Sequence, residues 1–418
     1  MQREGLPLAP YRVLDLADEK GAFCARILAD LGAEVIKIER PTGAPERNRG
    51  PFHHDMPHPE RSLHWFIFNA NKKGITLNIE TTDGREILRK LARGADFVVE
   101  SFPIGYLDRL GLSYTELSAI NPRLILVSIT PFGQAGPYSH YKGCDIVYMA
   151  LGGLMVLSGD PDRAPLRISV EQSYFQAGAQ AAAGALIAHH CRRLLGRGQH
   201  VDVSIHEAVA CASQFHWGDW PMRGLAQEYA ASLKREGNQV SRGRVKPRMI
   251  WPTEDGYVSW RIFVAAQGRR TRALTDWIEE EGITELENVH WEALDFNDLT
   301  QEQLEAWEGA IGKFFLSKTN AELHQGAVER GIILYPVNTT KDLAHNPQLE
   351  ARGFWTEVDH PELGTQLTYP SAAFKSSEYY CGIRHRAPLI GEHNQEIYRK
   401  ELGLAAEQLR VLKEAGVI

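Results

Sequence analysis

The feature that most narrows the fold is an alternation, over the first 130 residues, of short apolar runs with segments of helical spacing. YRVLDL at 11–16 is a β-branched and apolar run, and residues 21–31 then place apolar side chains at helical intervals. EVIKIE at 34–39 alternates strictly, as a half-buried strand does. The pattern returns as a helix over 84–93, a strand over 96–99, a helix around 114–120 and a strand over 123–129. Strands that alternate with short helices predict a parallel sheet with helices on its faces, an α/β fold.

The 418 residues exceed what one hydrophobic core usually holds, so two domains are expected. Residues 168–195 form the longest helical candidate, and its centre, AGAQAAAGALIA, is rich in Ala and Gly. Small residues let a neighbouring backbone approach closely, which predicts a tightly packed internal helix. Gly196-Arg197-Gly198 ends it, and QHVDVS at 199–204 reads as the next strand. Near residue 225 the composition shifts to charged, helix-favouring segments such as 271–281 and 300–315, which predicts a second, smaller α/β domain. The stretch 346–364 reads as loop and 402–417 as an amphipathic helix. The expected division is 1–225 for the first part of a large domain, 226–330 for the small domain, and 331–418 for a return segment that completes the large one.

Composition excludes several functions. The formal charge is −7 and no Lys/Arg run occurs, which argues against a nucleic-acid binder. The five cysteines are scattered and never form CxxC, which argues against a zinc site or a disulfide framework and for a reducing compartment. The N-terminus MQREGLPLAPYR lacks an apolar signal core, and no apolar run reaches membrane-spanning length. A cytoplasmic protein is expected. No GxGxxG or Walker loop supports nicotinamide binding or nucleotide hydrolysis. His53, His54, Asp55 and His58 cluster in a polar loop, but no second ligand cluster recurs at metal spacing, so no metal site is assigned.

Six stretches, in order and spanning nearly the whole chain, resemble family III CoA-transferases. They are VLDLADEKGAFCARILADLGAEVIKIERP (13–41), NANKKGITLNI (69–79), the long segment 96–138 that begins DFVVESFPIGYLDRLGL, GRGQHVDVS (196–204), the segment 336–364 that begins PVNTTKDLAHNPQ, and APLIGEHNQEIYRKELGL (387–404). The resemblance implies a Rossmann-like large domain, a smaller α/β domain and an interlocked dimer. It also implies that CoA thioesters are substrates and that no resident cofactor is needed.

Carried over residue by residue, the resemblance places CoA contacts at Arg40, Lys72, Lys73, Phe102, Arg109 and Lys142. At 101, where the family often has Asn, this chain has Ser101. The family transfers CoA through an Asp that attacks the acyl-CoA thioester. Counting back from Gly196 places that Asp at Tyr174. A phenol of pKa about 10 is mostly protonated at neutral pH and cannot carry CoA as a thioester. The nearest carboxylate is Glu171, one helical turn away on the same face if the helix extends that far. It stands either as a substitute nucleophile or as an acid favoured by the helix dipole. The related α-methylacyl-CoA racemases pair a His with the same Asp. Here those positions are Cys144, in Gly143-Cys144-Asp145, and Tyr174, so racemase chemistry lacks both groups.

Three readings follow. The chain is an active transferase moving CoA between an acyl-CoA such as succinyl-CoA and a carboxylic acid, with Glu171 or another carboxylate as carrier. Alternatively, it is a non-catalytic subunit paired with a homologous, Asp-bearing chain, as in benzylsuccinate CoA-transferases. The third reading is a CoA-ester isomerase, lyase or thioesterase, or a CoA-binding regulator, without the covalent Asp.

Overall fold

The computed structural model describes residues 5–212, 237–239, 242–372 and 374–418. The chain divides into two compact units: one comprises 1–154, 167–218 and 347–418, the other 155–166 and 219–346.

The first unit is built on the alternation seen in the sequence. In order come β1 (Arg12–Asp15), α1 (Ala22–Asp30), β2 (Glu34–Glu39), α2 (Leu63–Asn69), β3 (Lys72–Thr76), α3 (Thr82–Arg93) and β4 (Phe97–Glu100). There follow α4 (Tyr106–Arg109), α5 (Tyr114–Ile120), β5 (Ile125–Thr130), α6 (Asp145–Leu151), α7 (Gln172–Leu195), β6 (His200–Ser204) and α8 (Ile205–Ala212). The six strands are parallel in the order β3-β2-β1-β4-β5-β6. This is the doubly wound arrangement, in which the chain leaves β1 in one direction and restarts at β4 on its other side. Strands buried on both faces read as continuous apolar runs, and β5, ILVSIT, is buried at every position. The strand that sequence reading passed over is β3, whose KKGIT start hides it: Lys72 is buried all the same.

Helix α7 lies along α1. Gly178 makes this possible, because a Cβ there would sit 2.8 Å from Phe23 Cβ and 3.2 Å from the Cys24 amide nitrogen. The expectation of an internal helix needs correction. Its buried face is Ser173, Tyr174, Ala177, Gly178, Ala181, Ala182, Ala185, Ala188 and Arg192, whereas Ile187 and Leu194 are 65% and 73% exposed in the single chain. The small residues serve one close crossing, not burial all round.

The second unit holds β7 (Ile250–Pro252), β8 (Tyr257–Ser259), α9 (Arg269–Glu280), α10 (Gln301–Leu316), α11 (Asn320–Glu329), β9 (Tyr335–Pro336) and α12 (Thr340–Ala344). Its core gathers Trp251, Trp260, Trp277, Trp291, Phe314 and Phe315. Strand β9 pairs with β8 through Tyr335 and Ser259, which keeps residues 331–346 in this unit, where the sequence had suggested a return from 331. The return begins at α13 (Pro347–Ala351) and continues through the antiparallel hairpin β10 (Trp355–His360) and β11 (Thr365–Pro370), a π-helical turn over 395–401, and α14 (Ala406–Glu414). The stretch read as loop at 346–364 therefore contains a strand. Its acids Glu357 and Asp359 face outward while Val358 and His360 are buried, a period-two pattern masked by its charge. No helix among the described residues is long and apolar enough to cross a membrane.

Candidate active site

Ligands of doubly wound sheets bind at the carboxyl ends of the strands, where the strand order reverses. Here that place lies between the loops that follow β1 and β4. Ser101 joins them: its hydroxyl donates to Asp18 Oδ1 at 2.7 Å and accepts from the Asp18 amide at 2.8 Å. The departure at 101 thus keeps a side-chain contact across the switch point. From below, the β1 loop is fixed by Asp15, which accepts from the Ala17 amide at 3.1 Å and from Lys72 Nζ at 2.8 Å. Lys37 donates to the Ala17 carbonyl and lies 3.7 Å from Asp15.

Beside this clasp opens a cleft of about 270 Å³, lined by strand-end residues and by Arg40, Glu80, Phe102 and Tyr106. The Phe102 and Tyr106 rings stack at 4.6 Å. Tyr106 donates to Glu80 at 3.0 Å, Arg40 reaches the same carboxylate at 3.4 Å, and the Arg109 guanidinium lies 5.7 Å from the Tyr106 ring centre. The Arg40 side chain is 70% exposed, so its cation is available to an anionic ligand. Arg40 and Phe102 therefore line one cleft, and Arg109 stands beside it at the Tyr106 ring. Sequence reading missed Tyr106 and Glu80; the signal was the spacing of Phe102 and Tyr106, four residues apart across the loop that leads into α4.

The three lysines lie apart from this group. Lys72 is enclosed in the core, where its ammonium contacts Asp15, Asn69 Oδ1 at 3.0 Å and the Ala22 carbonyl at 3.3 Å. Burial, only partly offset by Asp15, pushes its pKa down to about 8. A cation with its donors so occupied is a support beneath the site and does not reach a phosphate. Lys73 pairs with Glu34 at 2.7 Å and Glu396 at 2.6 Å, at the amino end of β3. Lys142 is exposed on the loop between β5 and α6.

Below Phe102, Glu100 is buried and accepts from the Phe102 amide at 2.7 Å. Burial raises its pKa to about 7, against the lowering effect of its bonds to Ser128 and Phe102. A carboxyl whose folded pKa lies above its unfolded value stabilises the fold most at acid pH, and that contribution is lost as pH rises through the folded value. Stability should therefore decline between about pH 4.5 and pH 7, and Glu100→Gln should flatten that slope. Urea midpoints measured across the range for both proteins test this, and an unchanged slope in the variant contradicts it.

The second part of the site is the start of α7. The helix begins at Gln172, and Glu171 is its N-cap with ψ 81°, outside the helical turn. The expected same-face pairing of 171 with 174 within one helix is thereby corrected. The Glu171 carboxylate makes no cap bond; it is ion-paired with Arg49, which also lies 3.5 Å from Glu19. Next to this cluster, burial and then the Arg49 charge push the His64 pKa down to about 4, which keeps its ring neutral. Tyr174 is 8% exposed, and burial followed by the nearby Glu19 charge raises its pKa further. The phenol stays protonated. Asp145 accepts from the Ser173 amide at 3.0 Å and hydroxyl at 2.7 Å, so it ties α6 to the first turn of α7. Cys144 precedes α6 and is exposed. His53, His54 and Asp55 form a short 3-10 turn.

The cleft thus lies at the switch point of a doubly wound sheet, the place where such sheets bind their ligands. The model of CoA-transferase family III matches residues 8–394, and the chain belongs to that family. It is 35% identical to the succinyl-CoA:(R)-benzylsuccinate CoA-transferase subunit BbsE of Thauera aromatica, with 99% of this chain and 98% of that protein covered. It is 33% identical to the succinyl-CoA–D-citramalate CoA-transferase of Chloroflexus aurantiacus, over 100% of this chain and 99% of the relative. Among solved structures, a CAIB/BAIF family protein from Brucella suis superposes with a TM-score of 0.80 at 28% identity, covering 94% of this chain and 99% of the other.

Proposed function

We propose that this chain is the CoA-binding, carrier-less subunit of a heteromeric CoA-transferase that moves CoA from succinyl-CoA to a carboxylic acid. The observation that carries the reading is the state of the nucleophile position. Tyr174 is buried and protonated there, and the two acids beside it, Glu171 and Glu19, both face Arg49. Thioester exchange through a covalent carrier needs a free carboxylate beside the acyl carbon. A homologous chain that bears the Asp would supply it. Two similar proteins are themselves named as subunits: BbsE, and the beta subunit of the succinyl-CoA–L-malate CoA-transferase of Chloroflexus aurantiacus, 29% identical to this chain. The exposed apolar side chains of α7, Ile187 and Leu194, fit a face that a second chain covers. An interlocked dimer of this chain with its homologue is the assembly this reading expects. CoA thioesters enter as substrates, and no resident cofactor is required.

In the first unit, Arg40 and Arg109 would meet the phosphates and the stacked Phe102–Tyr106 pair would face the adenine, which leaves the pantetheine arm to run along the clasped β1 and β4 loops. Calorimetry on the purified assembly should show CoA binding, and Arg40→Ala should weaken it by about tenfold, the effect of one charge-assisted phosphate contact. Because Arg40 is exposed, the melting temperature should not move. Absence of CoA binding at millimolar ligand contradicts the proposed function.

A further inference from the structure

The second unit carries an arrangement of arginines that its own fold does not neutralise. Helix α9 opens with Arg269, Arg270 and, two residues on, Arg272, and it has no acid in its first turn. Cations at a helix N-terminus oppose the helix dipole. The same unit shows that its other helices start differently: α10 and α11 both have capping boxes, Thr300 with Gln303 and Thr319 with Glu322. Gly268, the α9 N-cap, offers no side chain to the free amides.

Arg270 and Arg261 converge on one aromatic ring. Their guanidinium carbons lie 5.3 Å and 4.8 Å from the centre of Phe263. Neither pairs with a carboxylate among the described residues, and the one polar contact of Arg270 is Gln267 Oε1 at 3.4 Å. Three other cations of this unit do pair with acids: Arg272 with Glu292 at 3.4 Å, Lys318 with Glu281 at 2.8 Å, Arg330 with Glu280 at 2.8 Å. Arg242 lines the same cleft as Arg261. Burial, followed by repulsion from Arg242 and Arg270, lowers the pKa of Arg261. This cleft of about 350 Å³ lies among Arg242, Arg261, Phe263, Gln267, Asp295 and Phe296, and Arg270 stands at its edge against Phe263 and Gln267. Its one carboxylate, Asp295, uses Oδ1 to accept from the amide and the side chain of Asn297 at 2.8 Å and 3.0 Å. On the same rim Ala265 holds a left-handed φ of 53°, a conformation that is strained for a non-glycine residue.

Local choices that each cost stability and together aim like charges at one cavity mark a functional site. We infer that this cleft binds a phosphate-bearing polyanion, held between the Arg261 and Arg270 guanidinium groups at the start of α9. The planar forks suit paired phosphate oxygens, and a ligand of two or more negative charges balances the arginines as a monocarboxylate cannot. The phosphates of a CoA molecule and those of a free metabolite share this chemistry. The inference does not depend on where the transfer carrier resides.

Inorganic pyrophosphate, titrated into the full chain by calorimetry, is the probe. Arg261→Ala and Arg270→Ala should each weaken binding by about tenfold or more, while Arg330→Ala, which removes an ion-paired arginine of the same unit, should leave it unchanged. Arg270 is exposed, so its variant tests the site even if Arg261→Ala unfolds. Pyrophosphate should also raise the melting temperature of the wild type and not of Arg270→Ala. With Arg40→Ala as background, displacement of pyrophosphate by CoA identifies CoA as the source; lack of displacement identifies a free phosphate metabolite. No binding at millimolar pyrophosphate, or equal binding in the Arg270 variant, overturns the inference.

Discussion

Glu171→Gln is expected to leave CoA exchange by the heteromeric enzyme within about twofold of wild type, whereas neutralising the partner's carrier carboxylate should cost on the order of 10⁴-fold, the usual scale for loss of a covalent nucleophile. The contrast follows from the ion pair. To attack a thioester, Glu171 would first have to leave Arg49, and its position at the N-cap directs it to that arginine. A carboxylate held by a guanidinium is also a weaker nucleophile than a free one. Nothing is gained by waiting for Tyr174, whose phenol burial keeps protonated. The chain purified without a homologue should accordingly bind CoA and show no exchange above that same floor. Steady-state rates for the homomer, the heteromer and the Glu171→Gln heteromer test this. Loss of activity in the Glu171→Gln heteromer, with CoA binding intact, would return the carrier role to this chain.

Lys72→Met should destabilise the first unit by about 3–5 kcal/mol, the scale for removing one partner of a buried ion pair. Lys72 and Asp15 have no exposed side-chain surface, and the variant leaves the Asp15 charge facing only Lys37 at 3.7 Å. Neutralising both members, as Asp15→Asn with Lys72→Met, should recover much of the loss, because the desolvated charge is then gone. CoA affinity of the folded Lys72→Met protein should change little, since the ammonium lies beneath the cleft. Denaturant unfolding and calorimetry separate the two effects. Normal stability with lost CoA binding would make Lys72 a ligand contact.

These two residues also show what could be read from the sequence. The parallel sheet was legible because its strands alternate with helices, and EVIKIE was legible as a strand, but not as a half-buried one: Val35 to Glu39 are all buried, Lys37 and Glu39 included. The place of Arg40 and Phe102 beside the cleft was legible because they follow strands β2 and β4 at the carboxyl end of the sheet. Lys72 was not, since lysine normally means surface, and its burial depends on Asp15, 57 positions away. Glu171 was visible as a nearby acid, but its neutralisation by Arg49 comes from a long-range contact that no local pattern encodes.

The most direct test of the account locates the covalent intermediate. The heteromer is incubated with succinyl-CoA, trapped with hydroxylamine or borohydride, and both chains are digested for mass spectrometry. A label is expected on a carboxylate of the homologous partner and none on this chain. A label on Glu171, or on any other carboxylate of this chain, contradicts it.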